Sequence, residues 1–66
     1  MTLIQVLELI SDNAEVRVFN NQGDEIARYN GKDSIPTELN NEYVDCINAY
    51  IDYCGNGIPY VAIELV

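Results

Sequence analysis

The sequence predicts an α+β fold: an N-terminal amphipathic helix packed on one face of a small, mainly antiparallel sheet of about four strands in two hairpins. Three observations predict it. Apolar residues over 3–10 recur with a helical period, the segments 15–19 and 60–66 alternate with a period of two, and clusters of Asn, Gly and Asp punctuate the chain. Sixty-six residues, 48% of them hydrophobic and 21% charged, make one domain over 1–66. A chain this short buries only about 60% of its unfolded surface, so its core is marginal without a partner or a staple.

The helix is read from Leu3, Val6, Leu7 and Ile10, spaced i, i+3, i+4, i+7, with Thr2 as its N-cap. Ser11, Asp12 and Asn13 favour turns and end it. Glu15 to Phe19 alternates as a strand, Asn20 to Asp24 supplies a hairpin turn, and Glu25 to Tyr29 returns as its partner. Asn30 to Asn41 is irregular, with one helical turn expected over Ser34 to Leu39 because Pro36 is tolerated in a first turn.

The segment 43–53 satisfies two periods. Val44, Ile47, Ile51 and Cys54 fit a helix, whereas Ile47, Ala49, Ile51 and Tyr53 fit one face of a strand. Its Tyr, Val and Ile content and the Gly-Asn-Gly that follows favour the strand. The last segment places Val61, Ile63 and Leu65 on one face and Tyr60, Ala62 and Glu64 on the other. A three-residue loop at Gly55-Asn56-Gly57 would set Ile51 opposite Val61, Ala49 opposite Ile63 and Ile47 opposite Leu65, uniting the apolar set; a two-residue loop would split it.

One helix covers one sheet face. The other face of the second hairpin would then present Cys46, Asn48, Tyr50, Asp52, Tyr60, Ala62, Glu64 and Val66. Tyrosines beside carboxylates suit a protein interface, since Tyr buries area and keeps a hydrogen-bonding tip. The candidate partner-binding residues are therefore Tyr50, Tyr60, Asp45, Asp52 and Glu64, with Glu38 and Glu42 from the connector.

Charge and composition exclude most other roles. Eleven Asp and Glu against three Lys and Arg give −8. Affinity for a nucleic-acid backbone comes mainly from cations, and Arg17, Arg28 and Lys32 form no basic stripe, so direct nucleic-acid binding is not expected. An anionic membrane surface is disfavoured for the same reason, and no apolar run reaches a membrane span or reads as a signal peptide. A basic protein surface is the complementary partner.

Histidine is absent, which removes the usual general base, the His-activated nucleophiles and the commonest zinc ligand. No enzyme activity, cofactor or metal is expected. Ser11 and Ser34 read as turn or cap residues. Cys46 and Cys54 are too far apart within one regular element to form a disulfide, and reduced thiols suit a cytosolic setting. The turn Asn20 to Glu25 lacks the calcium-loop pattern, and Cys54 to Gly57 lacks the third glycine and the helix of a phosphate loop. Asp45 and Glu64 are expected as neighbours on the outer hairpin face.

The run LIQVLELISDNAEVRVFNNQGDEIARY, followed by a Pro-containing connector and a Tyr/Ile/Val hairpin, resembles small acidic proteins encoded by phages and mobile elements of Gram-positive bacteria. The likeness covers most of the chain as a pattern of helix, strand and turn, and it carries over no site residue. It implies an accessory role in the cytoplasm of a bacterial host. Such proteins include anti-defence inhibitors of host nucleases, anti-CRISPR proteins among them, some of which imitate DNA. The expectation is an acidic, non-enzymatic inhibitor of a basic nucleic-acid-binding host protein. The alternative is a small structural or assembly subunit that forms a homodimer through the open sheet face.

Overall fold

The computed structural model describes residues 1–10, 14–51, 54 and 57–66. It contains one short helix, α1 (Leu3–Leu7), and four strands, β1 (Val16–Phe19), β2 (Glu25–Tyr29), β3 (Val44–Ile51) and β4 (Pro59–Leu65). Two antiparallel hairpins, β1–β2 and β3–β4, meet through a parallel β1–β4 pair, so the strand order is β2-β1-β4-β3 and the sheet is mixed. No helix among the described residues is long and apolar enough to cross a membrane.

The helix is shorter than its periodic pattern. Thr2 N–H donates to Gln5 Oε1 at 2.9 Å, the side-chain return of a capping box. The amides of Leu3 and Ile4, unpaired by the helix itself, donate to the carbonyls of Glu42 and Asn40 in the connector. After Leu7 the chain tightens: Leu9 N–H reaches Val6 O and Ile10 N–H reaches Leu7 O, each three residues back. A helix of this length depends on its buried side chains, and Leu3, Val6 and Leu7 are buried whereas Leu9 is exposed. The expected terminators Ser11, Asp12 and Asn13 lie outside the described residues.

The first hairpin follows its turn chemistry. Asn20 Oδ1 accepts from the amides of Gln22 and Asp24, and Gly23 takes φ +86°, which a side chain would strain. A register shift opposite Val18 and Phe19 leaves Ile26 without a partner in β1. The connector holds two 3-10 turns, Lys32–Ser34 and Thr37–Leu39, rather than one, with Pro36 as N-cap of the second. The Ser34 hydroxyl accepts from Asn30 N–H and donates toward the carbonyls of Gly31 and Arg28, folding the connector onto the end of β2.

Residues 44–51 are strand, not helix. The alternation of faces in the second hairpin is as the sequence implies, but the register differs by two residues. Ile47 lies opposite Ile63, Ala49 opposite Val61 and Ile51 opposite Pro59. A slip of two keeps every side chain on its own face, so the apolar pattern alone does not discriminate between the registers. Among the described residues the last pair of this ladder is Ile51 and Pro59. Gly55 and Asn56 themselves lie outside the described residues.

The core is one cluster: Leu3, Val6 and Leu7 with Val16, Val18, Tyr29, Ile35, Ile63 and Leu65. The strand members define the apolar face of the sheet. The opposite, polar face carries Arg17, Arg28, Tyr50, Tyr60, Asn48, Ala62, Cys46 and Glu64, as the cross-strand pairs require.

Candidate functional site

The polar face is more tightly knit than its composition suggests. Arg17, at the centre of β1, is only 14% exposed in its side chain. Its Nε lies 3.4 Å from Glu15 Oε1 and 4.0 Å from Glu25 Oε1, and its guanidinium carbon sits 4.0 Å from the centroid of the Tyr60 ring. That distance is well within cation–π range. Arg28 on β2 donates to Glu25 at 2.8 Å. Tyr60 continues into Tyr50 across the hairpin, with ring centroids 5.8 Å apart and tilted by 37°.

These contacts sort the expected binding residues. Tyr50 and Tyr60 come together, but unequally: Tyr50 is 51% exposed at the sheet edge, while Tyr60 is half-buried beneath Arg17. Asp45 does not pair with Glu64 as expected. The register shift between Val44 and Cys46 leaves Asp45 opposite no residue of β4 and places Cys46 opposite Glu64. Cys46 Sγ lies 3.4 Å from Glu64 Oε2 and also accepts from Asn48 Nδ2 at 3.6 Å.

The bond to Glu64, partial burial and the negative charges of Glu64 and Asp45 raise the Cys46 thiol above its ordinary pKa, against a lowering by Asn48. Glu38 and Glu42 are exposed in the connector. Among the described residues, no hydrogen bond or ion pair joins their side chains to the tyrosine pair. Asp52 lies outside the described residues.

Two features escaped the sequence reading. The first is the Arg17 cluster, whose signal was the alternation of Glu15 and Arg17 with Val16 and Val18. The second is on the apolar face. Ile63 is fully buried, yet Ile47 directly across from it is 50% exposed and Ile51 is 49% exposed. Ile47 was expected in the core; its place on an edge strand leaves one flank without a neighbouring strand among the described residues. Below it, the row Ala49, Val61 and Tyr29 lines a cleft of about 700 Å³ together with Glu15, Ile58 and Tyr60.

The cleft's carboxylate, Glu15, already faces Arg17. Among the described residues, no group of three or more His, Cys, Asp or Glu could hold a metal ion, and no buried side-chain nitrogen or oxygen lacks a partner. Both cysteines are thiols, Cys46 half-buried and Cys54 exposed.

Charge is partitioned along the chain. All three cations fall within 17–32, whereas residues 33–66 contain Asp33, Glu38, Glu42, Asp45, Asp52 and Glu64 and not one Lys or Arg. Both arginines lie near carboxylates of the first hairpin, and residues 33–66 carry six of the net eight negative charges. Comparison with protein-family models, with curated proteins and with solved structures found no match to this chain.

Proposed function

We propose that this chain is a non-enzymatic protein-binding module that engages a basic, nucleic-acid-binding protein, in the manner of a phage-encoded anti-defence inhibitor. The observation that carries the reading is the charge partition: the cation-free half of the chain, 33–66, carries six carboxylates and an exposed tyrosine, Tyr50. In this reading α1 covers the apolar face, and Tyr50, Asp45 and Glu64, flanked by Glu38 and Glu42, meet the partner. Tyr60 supports Tyr50 from behind. Complementary charge speeds encounter with a groove built for phosphates, and Tyr50 supplies area that becomes buried.

The test is affinity capture from a bacterial lysate at low and high salt, with the captured proteins identified and rebound in purified form. The expected result is a basic nucleic-acid-binding protein whose retention falls as salt rises, because exposed charges are screened. Reversal of Asp45, Glu38 and Glu42 to Lys should abolish capture and leave thermal stability nearly unchanged, since exposed carboxylates contribute little to folding. Capture that survives this reversal, or a partner without a basic surface, overturns the reading. Self-association that resists salt would favour the structural subunit instead.

A further inference from the structure

The two faces of β3 meet at an unpaired sheet edge. β3 has one neighbour, β4, and is the longer of the two edge strands. Its beginning is closed: Thr2 bridges Tyr43, and Val44 N–H donates to the Met1 carbonyl at 2.8 Å. Asp45 then interrupts the ladder, and among the described residues nothing pairs with the outer edge of the stretch from Cys46 to Ile51, about 20 Å at 3.3 Å per residue. An exposed strand edge presents a row of backbone donors and acceptors, the template for strand addition.

The side chains along this stretch differ by face. Ile47 and Ile51, each about half exposed, point to the apolar face with Ala49 between them. Cys46, Asn48 and Tyr50 point to the polar face, where Glu64 lies one strand inward and the Arg17–Tyr60 pair shows how a guanidinium seats on a tyrosine of this sheet.

From these features we infer that the open edge of β3, Cys46 to Ile51, accepts as a fifth strand an extended segment of a partner in which Lys or Arg alternates with β-branched apolar residues. The alternation follows from the pleat: residues of an added strand point in turn to the apolar face, against Ile47 and Ile51, and to the polar face, toward Tyr50 and the carboxylate of Glu64. A second copy of this chain fits less well. It would bring −8 against −8, and the half of the chain that holds β3 has no cation to offer. The inference rests on the proposed binding of a basic partner and adds the mode and the sequence pattern of the bound segment.

The experiment uses the full chain and two synthetic peptides of identical composition. One alternates Lys or Arg with Val or Ile; the other groups the same cations at one end and the same apolar residues at the other. Binding is followed by amide hydrogen exchange and fluorescence titration at low salt. The expected result is at least roughly tenfold tighter binding of the alternating peptide, one decade being 1.4 kcal/mol, with new amide protection confined to 46–51. Ile47→Lys and Ile51→Lys, at positions already half exposed, should abolish that preference while thermal unfolding confirms that both variants fold.

Equal binding of the two peptides overturns strand addition and leaves the basic-partner reading standing. Failure of both peptides to bind at low salt overturns the basic-partner reading, and strand addition with it. Protection of 46–51 that appears with protein concentration alone overturns the inference in favour of a homodimer.

Discussion

At one edge of the sheet, β2 is five residues long, carries a register irregularity at Ile26, presents Arg28 bonded to Glu25 and is folded over by Ser34. At the other, β3 is eight residues long and exposes Ile47, Ala49 and Ile51 on one face and Tyr50 on the other. Short length, irregular pairing and charge are the devices that keep a strand edge from pairing with another chain. β2 uses all of them. β3 has an interruption at Asp45 and the Met1–Thr2 closure only at its start, and nothing comparable among the described residues from Cys46 to Ile51. The difference teaches where stability and association are lodged. The centre of the sheet, β1 and β4, holds the domain together, while β3 contributes backbone pairing on one flank and leaves the other unoccupied.

The sharpest way to break this comparison uses two isoleucines that face each other. Ile63 is fully buried in β4, and Ile47 is half exposed in β3. Ile63→Ala should cost about 2–5 kcal/mol as a core truncation that leaves a cavity. Ile47→Ala should cost about 1 kcal/mol, because roughly half of its transfer free energy is realised. Equilibrium denaturation of both variants checks this, and equal losses would mean that β3 is as well covered as β4.

Arg17→Ala comes next. It removes a cation–π contact worth about 0.5–2 kcal/mol at this degree of burial, together with the part-buried contacts to Glu15 and Glu25. Tyr50→Ala should lie below about 0.5 kcal/mol, as for a surface substitution, yet weaken partner binding. A Tyr50 loss that exceeds the Arg17 loss would place structural weight on the edge and not on the centre.

How much of this was legible in the sequence depends on what each residue's environment required. Period-two alternation gave the strands and their faces, because a side chain's face follows from counting alone. The Asn20–Asp24 turn was readable because Asn and Gly do specific local work there. The register of the second hairpin was not, since a two-residue slip preserves every face. Nor was the parallel β1–β4 pair, which depends on packing between segments far apart in sequence.

The binding surface was half legible. Tyr50 and Glu64 follow from alternation, whereas Asp45 shares the parity of Ile47 and Ile51 and falls at the register shift between Val44 and Cys46. That Ile47 emerges from the core follows instead from β3 being outermost, a property of strand order that no local pattern encodes. Tyr60 was read as a free interface residue because Arg17 was counted as a cation and not placed on Tyr60's face.

The smallest expected effect tests the edge at its own sulfur. Cys46 has its thiol bonded to Glu64 and two carboxylates nearby, which raises its pKa, so at a given pH less of it is the reactive thiolate. A raised folded-state pKa favours the protonated form in the fold. The associated stability is present below the unfolded thiol value and declines as pH rises through the folded one. Iodoacetamide labelling with peptide mapping should therefore modify Cys46 a few-fold more slowly than the exposed Cys54 near neutral pH, with the Cys46 rate rising further into the alkaline range. Glu64→Gln removes one charge and weakens the bond, and should speed Cys46 a few-fold while leaving Cys54 unchanged. A Cys46 rate indifferent to Glu64→Gln would show that exposure, not charge, sets its reactivity. If a fifth strand adds along β3, the alternating peptide should slow Cys46 again in the Glu64→Gln variant, where the carboxylate no longer contributes, because Cys46 stands at the first residue of the open edge.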